Sequence, residues 1–156
     1  MPELRTSERS TNDDFALGPL DTSIAFLLRA ASDACAAAFA RRSAGLDVSA
    51  GEYASLTVID ANPGITQGQL GAATGRHMST LTPLLRDLEE RGFITRTAFP
   101  GDRRSFAIAM TKRGRERLRE ISAIAEQHEI ELDRIVGAQG KVQLIRQLRR
   151  IRALLA

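Results

Sequence analysis

Hydrophobic positions recur with a helical period over most of the chain. After a possible cap at Asp21, Thr22 or Ser23, apolar residues spaced by three or four predict a long first helix that ends near "RRSAGL". The same spacing from Thr111 onward predicts a helix of about seven turns, which "GAQG" separates from a final helix in "KVQLIRQLRRIRALLA". The two apolar faces consist of Ile24, Leu28, Ala31, Cys35 and Ala38 in the first helix, and of Leu118, Ile121, Ala125, His128, Leu132 and Ile135 in the later one.

Two capping-box patterns predict two further helices between these ends. Ser49 with Glu52 opens a helix that "NPG" stops, and Thr66 with Gln69 opens a helix of about two turns that ends at Gly75. In this pattern the side chains at the two positions bond each other's backbone N–H groups, so two otherwise unpaired donors are satisfied.

The segment "HMSTLTPLLRDLEERG" predicts a helix with one apolar and one polar face. Its start is expected near Ser79 or Thr80, because Pro83 is tolerated only close to a helix start. Gly92 ends the helix. The apolar stripe is Leu81, Leu84, Leu85 and Leu88, and the opposite face is Ser79, Thr80, Thr82, Pro83 and Arg86.

Two alternating runs, "FITRTAF" and "SFAIAM", predict a β-hairpin with "PGDRR" at its tip. A short helix, a glycine turn, a second helix with a small polar face and then a basic hairpin is the order of a winged helix-turn-helix. The fold class is therefore mainly α with a small β-hairpin wing, flanked by N- and C-terminal dimerisation helices.

This order predicts a DNA-binding surface. The start of the second helix faces the major groove, and an arginine at the wing tip reaches the minor groove, where the negative potential is focused. We assign Arg104 to that insertion and Asp102 to holding its guanidinium group, whereas Arg103 and Arg96 meet phosphates. The predicted DNA-binding residues are His77, Ser79, Thr80, Thr82, Pro83, Arg86, Arg96, Asp102, Arg103 and Arg104.

Length and helix length set the expected organisation. The 156 residues suffice for one compact domain, predicted at 20–156 after a flexible arm at 1–19. Within it, the winged module occupies about 49–110, and the dimerisation helices occupy about 20–45 and 111–156. Because these long helices cannot bury both faces against so small a module, we expect them to pair with a second copy, which places two recognition helices on a pseudo-palindromic site.

Charge and cysteine content agree with this interpretation. Residues 76–119 hold eleven basic and five acidic side chains, whereas residues 1–75 hold five and nine, so the basic excess coincides with the predicted DNA-binding module. The chain has one cysteine, no run of eighteen apolar residues and no signal-peptide pattern, which predicts a cytoplasmic protein without membrane insertion.

Residues 81–114, "LTPLLRDLEERGFITRTAFPGDRRSFAIAMTKRG", resemble the MarR family of bacterial transcriptional regulators. In that family a leucine-rich recognition helix leads through "LE..G" into a wing that bears "D.R" and then "LT..G". The resemblance, which extends less strictly from about Asp21 to the C-terminus, implies a homodimer that binds operator DNA, usually as a repressor released by a small ligand. It also implies that Ser79, Thr80, Thr82, Pro83 and Arg86 face the groove and that Asp102 and Arg104 lie on the wing.

The nature of the effector is less defined. "STLTPLL" is similar to the branch that senses organic hydroperoxides, but that branch needs a cysteine near the start of its first helix, where this chain has Ala25. "DTSIAFLLRAA" is similar to regulators that respond to aromatic acids or their coenzyme A thioesters. An anionic or aromatic effector could then contact Phe26, Arg29 and Tyr53, although Arg29 could equally pair with Asp33 on an exposed face.

Other function classes receive less support. The chain has no phosphate-binding glycine loop, no nucleophile elbow and no spacing of metal ligands, so neither an enzyme nor a cofactor or metal site is predicted. His128 is expected in the core or at a dimer seam rather than as a ligand. Two alternatives stay open, namely a redox-sensing repressor acting through Cys35 and a winged helix that binds another protein.

Overall fold

The computed structural model describes residues 15–99 and 102–155, with the side chains of 102–104 left out of the description. The described residues divide into two compact units, one within 15–35 and one within 36–155. The single domain expected over 20–156 is therefore described as two parts.

The first unit contains a short 3₁₀ helix, Gly18–Thr22, and the beginning of α1 (Ile24–Arg42), which continues into the second unit. Pro19 occupies the first turn of the 3₁₀ helix, where its fixed φ and missing N–H cost nothing. Large apolar side chains of this unit are exposed, with Ile24 at 69% and Leu27 at 46%. On the predicted apolar face of α1, Ile24 and Ala31 are exposed, whereas Leu28, Cys35 and Ala38 are half-buried.

The second unit holds the remaining elements, in the predicted order. After the end of α1 come α2 (Ala50–Ala61), α3 (Gln67–Thr74), α4 (Met78–Glu90), β1 (Ile94–Phe99), β2 (Asp102–Met110) and α5 (Lys112–Leu155). Its core is built from one or more apolar side chains of each helix and strand, including Phe39 from α1 and Ile121 from α5. The mainly α fold with a two-stranded antiparallel hairpin is confirmed.

Only one of the two predicted capping boxes is complete in the structure. Thr66 forms the complete box, since its hydroxyl accepts from the backbone N–H of Gln69 at 3.2 Å and the Gln69 amide oxygen accepts from Thr66 N–H at 2.9 Å. Ser49 forms only half of one: it accepts from Glu52 N–H at 3.0 Å. The Glu52 carboxylate accepts from Arg91 and Arg117 instead, because guanidinium donors are stronger partners than a backbone N–H.

Helix α4 starts earlier than predicted. It begins at Met78 after His77, so that Pro83 lies inside the helix. The expected start at Ser79 or Thr80 is wrong by one or two residues. Pro83 removes the hydrogen bond to the carbonyl of Ser79, but both residues are exposed, so water can solvate that carbonyl.

Helix α5 is broken at Gly137, where "GAQG" predicts an interruption. Gly137 has φ 69° and ψ 164°, a conformation that only glycine adopts without strain. Across the break, the ammonium group of Lys141 lies 2.6 Å from Asp133 and 3.4 Å from Glu129. The hydrogen bond to Asp133 is the main cause of the raised pKa of Lys141, so a charged lysine spans the bend.

The hairpin is attached to the rest of the unit at its base. Strands β1 and β2 pair from Ile94↔Met110 to Phe99↔Asp102, with a register shift between Ala98 and Phe99. Near the base, Ile108 N–H donates to Ile65 O and Ile108 O accepts from Gly64 N–H, both at 2.9 Å. The loop between α2 and α3 therefore forms an isolated bridge with the wing.

Gly114, in the first turn of α5, gives a stability prediction. A Cβ at this position would overlap the carbonyl of Phe93 and lie 2.6 Å from the sulfur of Met110. Gly114→Ala should therefore lower the free energy of unfolding by about 1–3 kcal/mol in a urea titration. The matched control is Gly68→Ala in α3, where a Cβ meets nothing within 4 Å and the helix should gain about 0.5–1 kcal/mol. Equal effects at the two glycines would contradict the close packing at Gly114.

No helix in the described residues is both long and apolar enough to cross a membrane.

Candidate nucleic-acid interface

The recognition helix α4 has one fully buried and one exposed face. Leu81, Leu85 and Leu88 are 0% exposed, and Leu84 is half-buried at the edge of the stripe. The predicted groove-facing residues are all exposed, and they are Ser79, Thr80, Thr82, Pro83 and Arg86. Four leucines thus fix the rotation of the helix, and this rotation leaves small hydroxyl side chains and one arginine free to contact a ligand.

The start of α4 is polar and accessible. His77 is the N-cap residue, and its side chain makes no capping hydrogen bond. The Thr80 hydroxyl donates to the carbonyl of His77 at 2.9 Å. An exposed helix N-terminus without a carboxylate in its first turn offers N–H groups and a partial positive charge to a phosphate group.

Gln67 is a surface residue that the sequence analysis missed. Its side-chain amide, at the first position of α3, donates to the Thr82 hydroxyl on α4 at 2.7 Å. The bond joins the two helices of the helix-turn-helix on their exposed side and directs the Thr82 hydroxyl. No local sequence signal indicates this contact, because it depends on how α3 and α4 pack.

The predicted wing residues are only partly described. Arg96 on β1 is held by Glu89 near the end of α4, with its Nε 2.7 Å from the carboxylate, and its guanidinium lies 6.0 Å from the Phe106 ring centroid. A phosphate contact by Arg96 requires this ion pair to open or to be shared. The side chains of Asp102, Arg103 and Arg104 lie outside the description. Their backbone forms the start of β2 rather than a loop tip.

A buried carboxylate joins α2 to the end of α4 and to α5. Glu52 is 3% exposed; Arg91 lies 3.2 Å from its carboxylate and Arg117 3.1 Å. Burial lowers the pKa of Arg91, but the hydrogen bond to Asp87 and the charge of Glu52 outweigh burial and raise it. Arg117 also donates to the carbonyl of Leu46 at 2.6 Å. Sequence analysis placed Glu52 in a capping box and missed this network.

The predicted effector residues lie in different units and are described separately. In the first unit Arg29 pairs with Asp33 at 3.1 Å, and its guanidinium lies 5.4 Å from the Phe26 ring centroid. In the second unit Tyr53 lines a cavity of about 480 Å³ between α2 and α5. This cavity has three carboxylates in its wall, which are those of Glu126, Glu129 and Asp133.

An aromatic cluster stands beside that cavity. Phe39 stacks on Tyr53 with ring centroids 6.2 Å apart, and His128 meets Phe39 edge-on at 5.9 Å. The Nδ1 atom of His128 is buried and has no hydrogen-bond partner among the described residues. His128 as a whole is half-buried, so its predicted place in the core or at a dimer seam stays a prediction. Cys35, in the first unit, is a half-buried free thiol.

Comparison with known proteins places this geometry in a family. The family model described as MarR matches residues 48–106, which cover α2, α3, α4 and the hairpin. A putative transcriptional regulatory protein for the hcr operon of Thauera aromatica is 34% identical over 105 residues, 67% of this chain and 63% of its own length. The chain belongs to the MarR family.

Solved structures of MarR-type regulators share the whole architecture. The transcriptional repressor CouR bound to a 23-mer DNA duplex superposes with a TM-score of 0.78 at 27% identity, over 88% of this chain and 98% of CouR. CouR bound to p-coumaroyl-CoA superposes with the same TM-score at 24% identity, over 88% of this chain and 97% of CouR, and shows the common fold. The chain spans less than two thirds of the length of the curated Thauera relative.

Family membership confirms two of the predictions above. The resemblance to the MarR family of transcriptional regulators and the fold class that it implies both hold.

Proposed function

We propose that this MarR-family chain is a homodimeric repressor that binds a pseudo-palindromic operator and releases it when a small anionic or aromatic effector binds. The observation that carries the proposal is the exposed start of α4 above a fully buried leucine stripe. A rigid helix whose outer face carries only short polar side chains and one arginine fits the major groove, which is about wide enough for one helix. Such a repressor works in the cytoplasm, with the DNA.

The helix-turn-helix supplies both kinds of contact that operator binding needs. The open N-terminus of α4 and His77 are placed to meet phosphates, while Thr80, Thr82 and Arg86 are placed to meet base edges. The wing adds minor-groove contact through Arg104, with Asp102 and Arg103 beside it; this part of the proposal comes from the sequence and the family resemblance.

Exposed apolar surface supports a second copy as partner. In α5 beyond Gly137, Val142 is 67% exposed and Leu154 72%. In the first unit, Ile24 is 69% exposed. Exposed apolar side chains recur along α5 beyond Gly137, at Val142, Leu144, Ile145, Leu148, Leu154 and Leu155. A contiguous apolar patch of this kind is typical of an interaction surface, and a two-fold pair would cover the same face on both copies. A dimer would also present two α4 helices to successive major grooves.

An effector fits the cavity that Tyr53 lines. The volume of about 480 Å³ lies within the range of small-molecule sites. The wall is formed by α2, which belongs to the predicted DNA-binding module, and by α5, which continues to the C-terminal end of the described chain. CouR, whose fold is similar, has been solved with bound p-coumaroyl-CoA, an aromatic coenzyme A thioester. Effector binding would favour a dimer in which the two α4 helices no longer match successive grooves.

Arg86→Ala tests the DNA-reading face. Because Arg86 is exposed on the polar side of α4, its loss should leave folding unchanged and weaken DNA binding by about 1–3 kcal/mol. The probe is a duplex that the wild-type protein selects from a randomised pool, and the readout is a mobility-shift titration at fixed salt. Arg146→Ala, at an exposed position on α5, is the control. Equal affinity of both variants for the selected duplex would remove α4 from the interface.

A further inference from the structure

A second cavity lies between α2 and α5, next to the one that Tyr53 lines. It has a volume of about 370 Å³, and its wall consists of Asp60, Lys112, Arg115, Leu118, Arg119 and Ser122. The two cavities share Ser122. They differ in charge, since three carboxylates line the first and three cations line the second. We refer to the second cavity as the basic groove.

The positive charge of the basic groove is not neutralised within the described residues. The carboxylate in its wall, Asp60, lies 3.9 Å from Arg115, at the limit of an ion pair, and both side chains are about half exposed. Lys112 and Arg119 form no ion pair with any described side chain. Lys112, Arg115 and Arg119 stand at positions i, i+3 and i+7 and therefore lie side by side on one face of α5. Like charges in this arrangement destabilise an isolated helix. An anion in the groove would relieve this repulsion.

The position of the basic groove separates it from the DNA-reading face. Lys112 lies two residues after Met110, which pairs with Ile94 at the base of the hairpin. The six residues of β1 span about 20 Å, so the groove and the wing tip lie at opposite ends of the hairpin. A phosphate in the groove therefore belongs to a small molecule rather than to the duplex that the tip of the wing contacts.

The geometry points to the basic groove as the binding site for the phosphate groups of a nucleotide-bearing effector, with the acyl or aryl part of the same molecule in the Tyr53 cavity. This inference rests on the proposed effector-dependent function and specifies the ligand class. Arg115 and Arg119 can each bind a phosphate with two parallel N–H donors, and Lys112 adds a third charge. An anionic aromatic acid alone would place its carboxylate near Glu126, which forms no ion pair with any described side chain and disfavours a second negative charge, whereas Glu129 and Asp133 are paired with Lys141.

The two cavities meet at Ser122, and a ligand that fills both of them is extended. Ten residues of helix separate Arg115 from Ala125, which lines the Tyr53 cavity, and this corresponds to about 15 Å along the α5 axis. In a coenzyme A thioester, the pantetheine arm separates the charged nucleotide end from the acyl group. The ligand class is therefore a thioester or similar conjugate whose polyphosphate end and uncharged ring lie at opposite ends of a flexible linker.

Calorimetric titration in the absence of DNA tests the basic groove directly. The probes are coenzyme A and pantetheine, which lacks the nucleotide phosphates. The full-length wild type should bind coenzyme A at least tenfold more tightly than pantetheine, and the affinity for coenzyme A should fall as salt rises. The triple variant Lys112→Ala, Arg115→Ala, Arg119→Ala should lose at least tenfold in affinity for coenzyme A. A control variant that removes three other exposed charges, Arg146→Ala, Arg149→Ala, Arg150→Ala, should bind coenzyme A like the wild type.

Each other outcome overturns the inference. An unchanged affinity of the triple variant for coenzyme A, or an equal loss in the control variant, shows that the groove has no specific role. If the triple variant loses affinity for the selected duplex but not for coenzyme A, the groove contacts DNA. The proposed function is tested separately by a mobility-shift assay. If no aromatic thioester releases the wild-type protein from the selected duplex, the proposed function fails, but the measured affinity of the groove for coenzyme A still stands.

Discussion

Glu52→Ala should lower the free energy of unfolding by about 3–5 kcal/mol. The substitution leaves Arg117, whose side chain is 10% exposed, with only the exposed Glu120 at 3.7 Å as an ion-pair partner, and a buried charge that loses its hydrogen-bonded partner costs far more than an exposed one. Arg91 keeps Asp87 at 2.7 Å, so most of the loss comes from Arg117. A urea titration followed by circular dichroism measures the change.

The matched control for Glu52 is an ion pair on the surface. Asp33→Ala removes the partner of Arg29, and the side chains of that pair are 68% and 66% exposed. Its loss should change the free energy of unfolding by less than about 0.5 kcal/mol. Glu52→Gln should fall between the two, because the amide oxygen can still accept a hydrogen bond. A loss below about 1 kcal/mol for Glu52→Ala would show that Arg117 reaches solvent when unpaired.

Leu85→Ala is expected to cost about 2–5 kcal/mol of unfolding free energy. Leu85 is 0% exposed and lies between Leu81 and Leu88 on the stripe that holds α4 against the core. Truncating it leaves a cavity under the recognition helix, and the neighbouring side chains can fill it only in part. The same urea titration measures the loss of unfolding free energy. A mobility-shift titration at low temperature measures how much the affinity for DNA depends on the packing of α4 against the core.

Leu84→Ala provides the comparison within the same turn. Leu84 is half-buried at the edge of the stripe, so its truncation exposes the site to water instead of creating a closed cavity. We expect it to cost less than half as much as Leu85→Ala. A larger effect at Leu84 than at Leu85 would mean that α4 is rotated on the core relative to the orientation described above.

The sequence predicted the elements well because each depends on local signals. The Thr66–Gln69 box with Gly75 bounds α3 as expected, and the leucine period of α4 predicts the buried stripe. "GAQG" marks the break at Gly137 because glycine alone adopts that conformation freely. The start of α4 was misplaced because solvent exposure, which the pattern does not report, allows Pro83 in the second turn.

The candidate site was predicted less completely because its long-range contacts leave little local trace. Nothing near Glu52 in the chain indicates that Arg117, 65 residues later, donates to its carboxylate. The pairing of Arg96 with Glu89 and of Gln67 with Thr82 likewise follows from how the helices pack. Exposure of the polar face of α4, in contrast, could be predicted, because burying the leucines turns the opposite side outward.

The bridge between Ile65 and Ile108 determines how the wing can move. Both backbone groups of Ile108 bond at 2.9 Å to the loop before α3, and Arg96, the partner of Ile108 in the hairpin, bonds to Glu89 of α4. Beyond this pair, no hydrogen bond joins the described part of the hairpin to another element. We therefore expect the hairpin to bend beyond Ile108, and we expect a displacement at Ile108 to be transmitted to the loop before α3.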